Sequence, residues 1–321
     1  MVRQTVARID LSALTDNYRC LVESLQREAD AAAARTRNPN EVPRASGLIA
    51  VVKANAYGHG AAQVVHSLEN AGADLVACAD IEEGTALRAA GVRAEILVFG
   101  ALSVSDLDGL YDGRLTPTIS TPFAARAVQA AAARYKTRIK YHLKIDTGMN
   151  RLGFRFDNLR RTLPELLASP NLELDAVYTH FATADEPGSP LFDQQRERFT
   201  RALAVLADLG ARPRYRHAAN SAAFLRDSRV WYERVRPGLL LYGIVPLVST
   251  VAGVGSIVDN LRTAIDNGLD QSATTQAAAQ QLVDGRNLNL VSGLAQTAAA
   301  IVFLLLVRQQ TARHMRCTGE A

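Results

Sequence analysis

The chain has 321 residues, enough for one large domain or two smaller ones, and 48% of them are apolar, ample for a buried core. Charged residues make up 21%, and the net charge of +4 comes from arginines scattered along the chain; this suits anionic small ligands and excludes a basic stripe for nucleic acid. Three cysteines, Cys20, Cys78 and Cys317, match neither a metal spacing nor a disulfide framework, and Met1–Asp10 lacks the apolar run of a secretory signal, so a reducing cytoplasm fits.

In chain order, Val2–Leu11 alternates apolar and polar as a short strand does. Asp10-Leu11-Ser12 offers helix caps, and Ala13–Ala34 carries a helical period. Arg35–Ser46 is polar, holds Pro39 and Pro43, and reads as a surface insertion without function. From Leu48 the pattern alternates between strand and helix. Strands are predicted at Leu48–Val52, Asp74–Ala77, Glu95–Phe99, Thr116–Ile119, Ile139–Ile145, Leu174–Thr179, Tyr215–His217 and Val235–Leu241. Helices are predicted at Gly60–Ala71, Ile81–Ala90, Pro122–Tyr135, Leu159–Ser169 and Asp193–Gly210. Several strands are continuous apolar runs, as in parallel sheets buried on both faces. The alternation predicts an α/β fold, a (β/α)8 TIM-type barrel. An open doubly wound sheet is the alternative, and its dinucleotide form is weakened because no G-x-G-x-x-G follows the first strand.

Chemistry gathers at the strand ends, where barrel enzymes build their sites. Lys53 ends the first strand within Val51-Val52-Lys53-Ala54-Asn55-Ala56-Tyr57-Gly58-His59-Gly60. A lysine leaving an apolar strand is placed to be desolvated, which disfavours the ammonium and leaves an amine able to attack a carbonyl. The plainer alternative is a lysine that snorkels out of a strand end. Further clusters end later strands: Lys144–Gly153 with Asp146 and Arg151, Tyr178–Ala182 with His180, His217–Ser221 with Asn220, and Arg236–Gly243. Arg236-Pro237-Gly238 sets a guanidinium beside a rigid turn whose following amides can face an anion. Arg151 suits a carboxylate. Asp146 reads as a brace for its turn, and His59 and His142 as structural. Asp80-Ile81-Glu82-Glu83-Gly84 reads as a helix N-terminus with an acidic first turn and no catalytic role.

The decapeptide at 51–60 resembles the pyridoxal 5′-phosphate (PLP) lysine motif of the alanine racemases. His-Phe-Ala-Thr-Ala-Asp at 180–185 and Asn-Arg-Leu-Gly-Phe at 150–154 are similar to that family as well. The resemblance covers Val2 to Pro246. It implies that Lys53 carries PLP covalently and serves one face of the substrate as catalytic base. It implies that Tyr57, Ser221 and the amides of Gly238 and Leu239 hold the cofactor phosphate. Arg236 would bond the pyridine nitrogen, with His180 against the ring and bonded to Arg236, and Asn220 in the supporting shell. An arginine keeps its proton, so the ring nitrogen would stay unprotonated and the cofactor would be a weaker electron sink. Arg151 would meet the substrate carboxylate or a cofactor oxygen. Lys144 resembles a lysine that many racemases carry as a carbamate, an anion that would fix the arginine fork; unmodified, Lys144 and Arg151 would repel. No metal is implied.

The expected organisation is a PLP-binding barrel over 1–246 and a short, mainly helical tail over 247–321. In the family a β-rich domain follows the barrel and supplies a catalytic tyrosine for the opposite face of the substrate. From Leu247 onward this chain has no tyrosine or tryptophan. Ser256–Asp284 reads as amphipathic helix, and the uncharged segment 288–307 is about 20 residues long, the length of a bilayer span. A buried or dimer-forming helix is the alternative to a membrane span there. The expectation is a site complete for holding PLP and short of a second base. Two functions follow. One is a cytoplasmic alanine racemase interconverting L- and D-alanine for cell-wall precursors, with alanine as its small-molecule substrate, no nucleic-acid partner and a homodimer left open. The other is a PLP-binding barrel without racemase activity, similar to the single-domain PLP-homeostasis proteins.

Overall fold

The computed structural model describes residues 8–35, 45–102 and 107–245. The chain divides into Met1–Val248 and Ser249–Ala321. The tail expected over 247–321, its segment 288–307 and most of the loop Arg35–Ser46 lie outside the described residues.

Ten strands make up the sheet: β1 (Gly47–Leu48), β2 (Ala50–Val51), β3 (Leu75–Cys78), β4 (Glu95–Val98), β5 (Thr116–Ile119), β6 (Ile139–Asp146), β7 (Phe154–Arg155), β8 (Leu172–Tyr178), β9 (Tyr215–His217) and β10 (Arg234–Val235). All pairings are parallel, in the order β1-β10-β9-β8-β6-β5-β4-β3-β2, with β7 beside β6. β1 and β2 are the two halves of one stave. Gly47 and Leu48 pair with Arg234 and Val235, while Ala50 and Val51 pair with Val76 and Ala77. Between them the N–H of Ile49 donates to Val235 O at 2.8 Å, and the N–H of Val52 donates to Ala77 O at 2.8 Å. The first stave is therefore bonded on both sides and the ring closes. With that stave taken as one and β7 set aside, the ring has the eight staves of the expected barrel.

The interior is divided by chemistry. Ile49, Leu75, Ala77, Leu97, Ala176 and Tyr215 form a buried cluster with Phe99 packed against it. On the opposite staves Thr118, His142, Lys144 and His217 are buried and polar. Outside, the helix Leu11–Arg35 buries the stripe Leu14, Tyr18, Leu21, Leu25 and Ala29, the three-to-four spacing of one helical face.

Local chemistry changes several sequence expectations. The described part of the expected strand Val2–Leu11 is not a strand: Asp10 Oδ1 accepts from the N–H groups of Ser12 and Ala13, both at 3.0 Å, so Leu11 already opens the helix. The expected helix Leu159–Ser169 is two pieces, Leu159–Thr162 and Pro164–Leu167, because Pro164 cannot continue a helical ladder. The expected strand Val235–Leu241 stops at Val235. Pro237 has no N–H to give the ladder, and Leu239–Tyr242 winds into a 3₁₀ turn that buries Leu240 and Leu241.

Candidate active site

One cavity of about 470 Å³ opens at the carboxyl end of the barrel, and its lining includes Lys53, Tyr57, Lys144, Arg151, His180, Asn220, Ser221, Arg236, Gly238 and Leu239. All the site residues picked out in the sequence thus meet in one place.

Lys53 leaves the closing stave just past buried Val52. The next four residues, Ala54, Asn55, Ala56 and Tyr57, have φ of 53, 52, 56 and 53°, a left-handed helical turn without a glycine. Left-handed backbone costs an L-residue roughly 1–2 kcal/mol, so this turn persists only because its surroundings fix it. Its own bonds close tightly: the N–H of Ala56 donates to Val52 O at 2.7 Å and that of Gly58 to Ala54 O at 3.0 Å. The turn carries Lys53 beyond the edge of the barrel, and the residue is exposed. The expectation of a dry Lys53 is therefore corrected. The stave is apolar as read, but it ends one residue too early to bury the lysine. Tyr57 comes back over the cavity, where its hydroxyl lies so close to Gly238 that a Cβ on that glycine would meet it at 2.5 Å. His59 is structural as read, its Nδ1 within 3.0 Å of Ala56 O.

Arg236 is buried at 4% exposure, with no carboxylate in contact among the described residues. Its guanidinium donates to Thr179 O and Ala218 O, both at 2.9 Å, to His217 Nδ1 at 2.8 Å and, at 3.4 Å, to His180 Nδ1. Burial lowers its pKa to about 10, so it stays charged at neutral pH. Because a guanidinium only donates, the direction of the next bonds is fixed. His217 accepts at Nδ1 and so carries its proton on Nε2, which donates to His142 Nδ1 at 3.1 Å. His142 then carries its proton on Nε2, which donates to Tyr215 Oη at 2.8 Å. Asp175 Oδ2 stands 3.8 Å from that nitrogen and is itself paired to Arg214 at 2.9 Å. Burial first, and then the Arg236 charge, hold His180 and His217 well below the ordinary histidine range. His142, read as structural, is the middle link of this column. In the sequence His217 reads only as the start of a strand-end cluster and Tyr215 only as part of its strand; neither takes a role there, although their period of two on one short strand points both into the barrel.

Lys144 is the desolvated amine of the site. It is 7% exposed, and burial together with the charges of Arg236 and Arg151 brings its pKa down to about 7. Its Nζ lies 4.5 Å from the centre of the Tyr178 ring, which also faces the Arg236 guanidinium at 5.2 Å and stacks on His217 at 4.5 Å. The Tyr178 ring thus stands beside both basic groups. Arg151 is exposed on the cavity side of the loop that Asp146 braces, its Oδ1 accepting from Gly148 N at 3.0 Å and Asn150 N at 3.1 Å.

The anion cradle lies at the other end. Ser221 Oγ accepts from the N–H groups of Gly238 at 3.0 Å and Leu240 at 3.3 Å, which leaves its hydroxyl hydrogen to donate into the cavity. The Gly238 amide is therefore committed to Ser221, a change from the expectation that it faces the anion directly. Asn220 caps the short helix Ser221–Arg226 through Ala223 N at 2.9 Å and donates to Phe181 O at 3.3 Å. Gln195, unnoticed in the sequence, locks the His180 segment: it donates to His180 O at 2.9 Å and accepts from Ala182 N at 2.8 Å. Its signal was a polar residue on the buried face of the helix Leu191–Asp208. Donors at the cradle, a reachable amine at Lys53 and buried cations at the far wall fit a phosphorylated, ring-containing aldehyde such as PLP.

The sequence matches the family described as "Alanine racemase, N-terminal domain" over residues 28–246. The alanine racemase of Carboxydothermus hydrogenoformans is 40% identical over 245 residues, 76% of this chain and 61% of that protein. That of Symbiobacterium thermophilum is 37% identical over 245 residues, 76% of this chain and 60% of that protein. The crystal structure of alanine racemase from Corynebacterium glutamicum matches with a TM-score of 0.65 at 32% identity, over 77% of this chain and 65% of that one. The chain spans about three fifths of the length of the curated relatives it matches.

Nitrogen-15 NMR should find His142 and His217 neutral, both protonated on Nε2, at neutral pH and still neutral near pH 6.5, where an ordinary histidine is half protonated, because their pKa values are lowered. Since the unfolded chain takes up these protons below about pH 6.5 and the native chain resists them, stability falls as the pH drops through that value. An imidazolium signal from His217 at pH 6 would contradict the column. Lys144 behaves alike in a higher window: between about 7 and 10.5 the unfolded chain holds a proton that the native chain has lost, so stability rises with pH. In carbonate-free buffer Lys144→Met should raise the unfolding free energy at pH 7 by roughly 1–3 kcal/mol, with the gain vanishing toward pH 10.5. Denaturant titrations at the two pH values check both parts.

Proposed function

This chain belongs to the alanine racemase family through its N-terminal barrel domain, and we propose that it holds PLP at Lys53 and interconverts L- and D-alanine. What supports this most is the convergence of Lys53, Tyr57, Ser221 and Arg236 on a single cavity from the two ends of the barrel-closing seam. The cofactor, when bound, supplies an electron-withdrawing ring that acidifies the substrate's α-proton. The rest is the work of side chains. The Lys53 amine stands at one face, where it would take the proton from one enantiomer or deliver it to form that enantiomer. Delivery at the opposite face needs a second base, and none is assigned among the described residues, so interconversion by this chain is expected to be impaired. The Ser221 hydroxyl and the Tyr57 hydroxyl beside Gly238 orient the phosphate, with the first-turn amide of Leu239 at the same end.

Arg236 would hold the ring nitrogen as a donor. A group held by two carbonyls and a neutral histidine, and itself unable to release its proton at working pH, leaves that nitrogen unprotonated. A ring held this way would be a weaker electron sink. His180, neutral and bonded to Arg236, packs against the ring, and Asn220 holds the helix that starts at Ser221. Arg151 orients the substrate carboxylate. Lys144 carries a carbamate: its neutral nitrogen bonds to the carbon of carbon dioxide and releases one proton, giving an anion between Arg151 and Arg236 in place of a repelled amine. The reading includes a homodimer and a cytoplasmic location. Among the described residues no helix is long and apolar enough to cross a membrane.

The full chain loaded with PLP should form D-alanine from L-alanine, and borohydride reduction should leave the pyridoxyl label on the peptide that contains Lys53. Lys53→Ala should abolish both. Normal labelling without D-alanine would overturn the racemase activity and leave the PLP-binding barrel. Gly238→Ala, whose Cβ would crowd the Tyr57 hydroxyl, should weaken PLP binding at least about tenfold in a fluorescence titration while leaving the fold intact.

A further inference from the structure

Glu83 lies on the first turn of the helix Ile81–Ala89, whose N-cap is Asp80. A glutamate three residues after a cap ordinarily turns back onto the cap's own N–H. Here it does something else. Glu83 Oε2 accepts from the N–H of Ala79 at 2.8 Å, and Glu83 Oε1 reaches across to the next stave's loop and accepts from the N–H of Asn55 at 3.0 Å. Asn55 is the second of the four left-handed residues that follow Lys53. Its own side chain bonds forward, Oδ1 accepting from Ala61 N at 2.8 Å. On the other flank Tyr242 donates to Val51 O at 3.0 Å and packs its ring 5.0 Å from that of Tyr57.

We propose that Glu83 is the positioning residue of the lysine turn: its carboxylate clamps two neighbouring strand-end loops together and holds Ala54–Tyr57 in the left-handed form that presents Lys53 to the cavity. A turn of non-glycine residues there relaxes toward right-handed or extended backbone unless something fixes it. The N–H of Asn55 would be lost to water in either case. A carboxylate is required because both N–H groups need an acceptor at once. Glutamine offers one oxygen and points an NH₂ at the other N–H. Ala79 also lines the cavity, so the clamp ties the wall of the site to the loop that carries its amine. The role of Lys53 in this inference rests on the function proposed above.

The experiment uses the full chain. In the PLP-free protein, Glu83→Gln should raise amide hydrogen exchange at Asn55 at least about tenfold, with little change at core amides, as expected for one lost charge-assisted bond. With PLP and borohydride, its labelling of Lys53 should slow by about tenfold, the same bond expressed as a rate. Adding Ala54→Gly to Glu83→Gln should restore labelling to within about threefold of the unmodified protein, because glycine takes the left-handed form without a Cβ penalty. A general loss of folding would not be rescued by a glycine. Labelling of Glu83→Gln at the unmodified rate, or failure of the glycine to restore it, overturns the clamp. If the unmodified protein takes no label at Lys53, the functional reading fails instead, and the exchange rate of Asn55 alone decides the clamp: unchanged exchange in Glu83→Gln overturns it.

Discussion

A guanidinium buried without a carboxylate governs this site. Arg236 gives its protons to two backbone carbonyls and two histidine nitrogens and lies against the Tyr178 ring, and every one of these partners is neutral. Burying an ion costs several kcal/mol even when its bonds are satisfied. The field that remains falls on its neighbours. His180 and His217 are kept from protonation, and Lys144 loses its proton near neutral pH. Had an aspartate stood in place of His217, the positive potential would be quenched inside the wall and the cavity would have little to offer an anionic ligand. The neutral acceptors keep the charge available. The chain of bonds from Arg236 through His217 and His142 to Tyr215 also fixes the orientation of each ring, since no link can reverse without a donor facing a donor.

The barrel makes this arrangement affordable by separating its interior. Apolar side chains from the first three staves, with Ala176, fill one region, and Tyr215 joins it to the polar column, its ring in the apolar cluster and its hydroxyl on His142. The seam where the ring closes joins the two functional ends. Val51 N–H donates to Pro237 O at 3.2 Å, so the strand that delivers Lys53 is bonded to the segment that carries Arg236 and the Ser221-linked Gly238. Closing the ring and assembling the site are one event. A slip of the first stave by one residue would reverse which side chains face inward and part the lysine from the cradle at the same time.

Much of this is legible in the sequence, for a physical reason. Parallel staves buried on both faces read as apolar runs, and polar residues mark their ends; hence the staves from Asp74 to His217 and strand-end residues such as Lys53, Lys144, Arg151, His180 and Arg236 stand out, whereas Tyr57, Ser221, Gly238 and Leu239 are singled out only through the resemblance to the racemase motif. Geometry that depends on long-range partners could not. Of Ala-Asn-Ala-Tyr only the asparagine tolerates left-handed backbone readily, and four such residues in a row are held by contacts beyond the turn: Glu83 to the Asn55 N–H, Asn55 Oδ1 to the Ala61 N–H and Tyr242 against the Tyr57 ring. The 3₁₀ turn at Leu239–Tyr242 was masked by its apolar composition, which suits a strand equally well. The dryness assigned to Lys53 belongs to Lys144, since a stave's hydrophobicity says how deep the stave lies and not where its last side chain emerges.

That exchange of properties between two lysines sorts their chemistry. A phosphorylated aldehyde is large and charged, and it can form a bond only with an amine that it reaches while its phosphate is held. Lys53 is exposed at the cavity, and Tyr57, on the same turn, brings its hydroxyl to Gly238 at the cradle. Lys144 is the desolvated amine, yet it lies against Tyr178 in the wall, at 7% exposure. Only a small uncharged electrophile fits there, and carbon dioxide is the obvious one. Its product also reverses the local electrostatics, replacing a cation that Arg151 and Arg236 disfavour with an anion that both attract. On the function proposed above, access would select Lys53 for the cofactor and desolvation would select Lys144 for a carbamate. Neither could take the other's place without moving the strand that carries it.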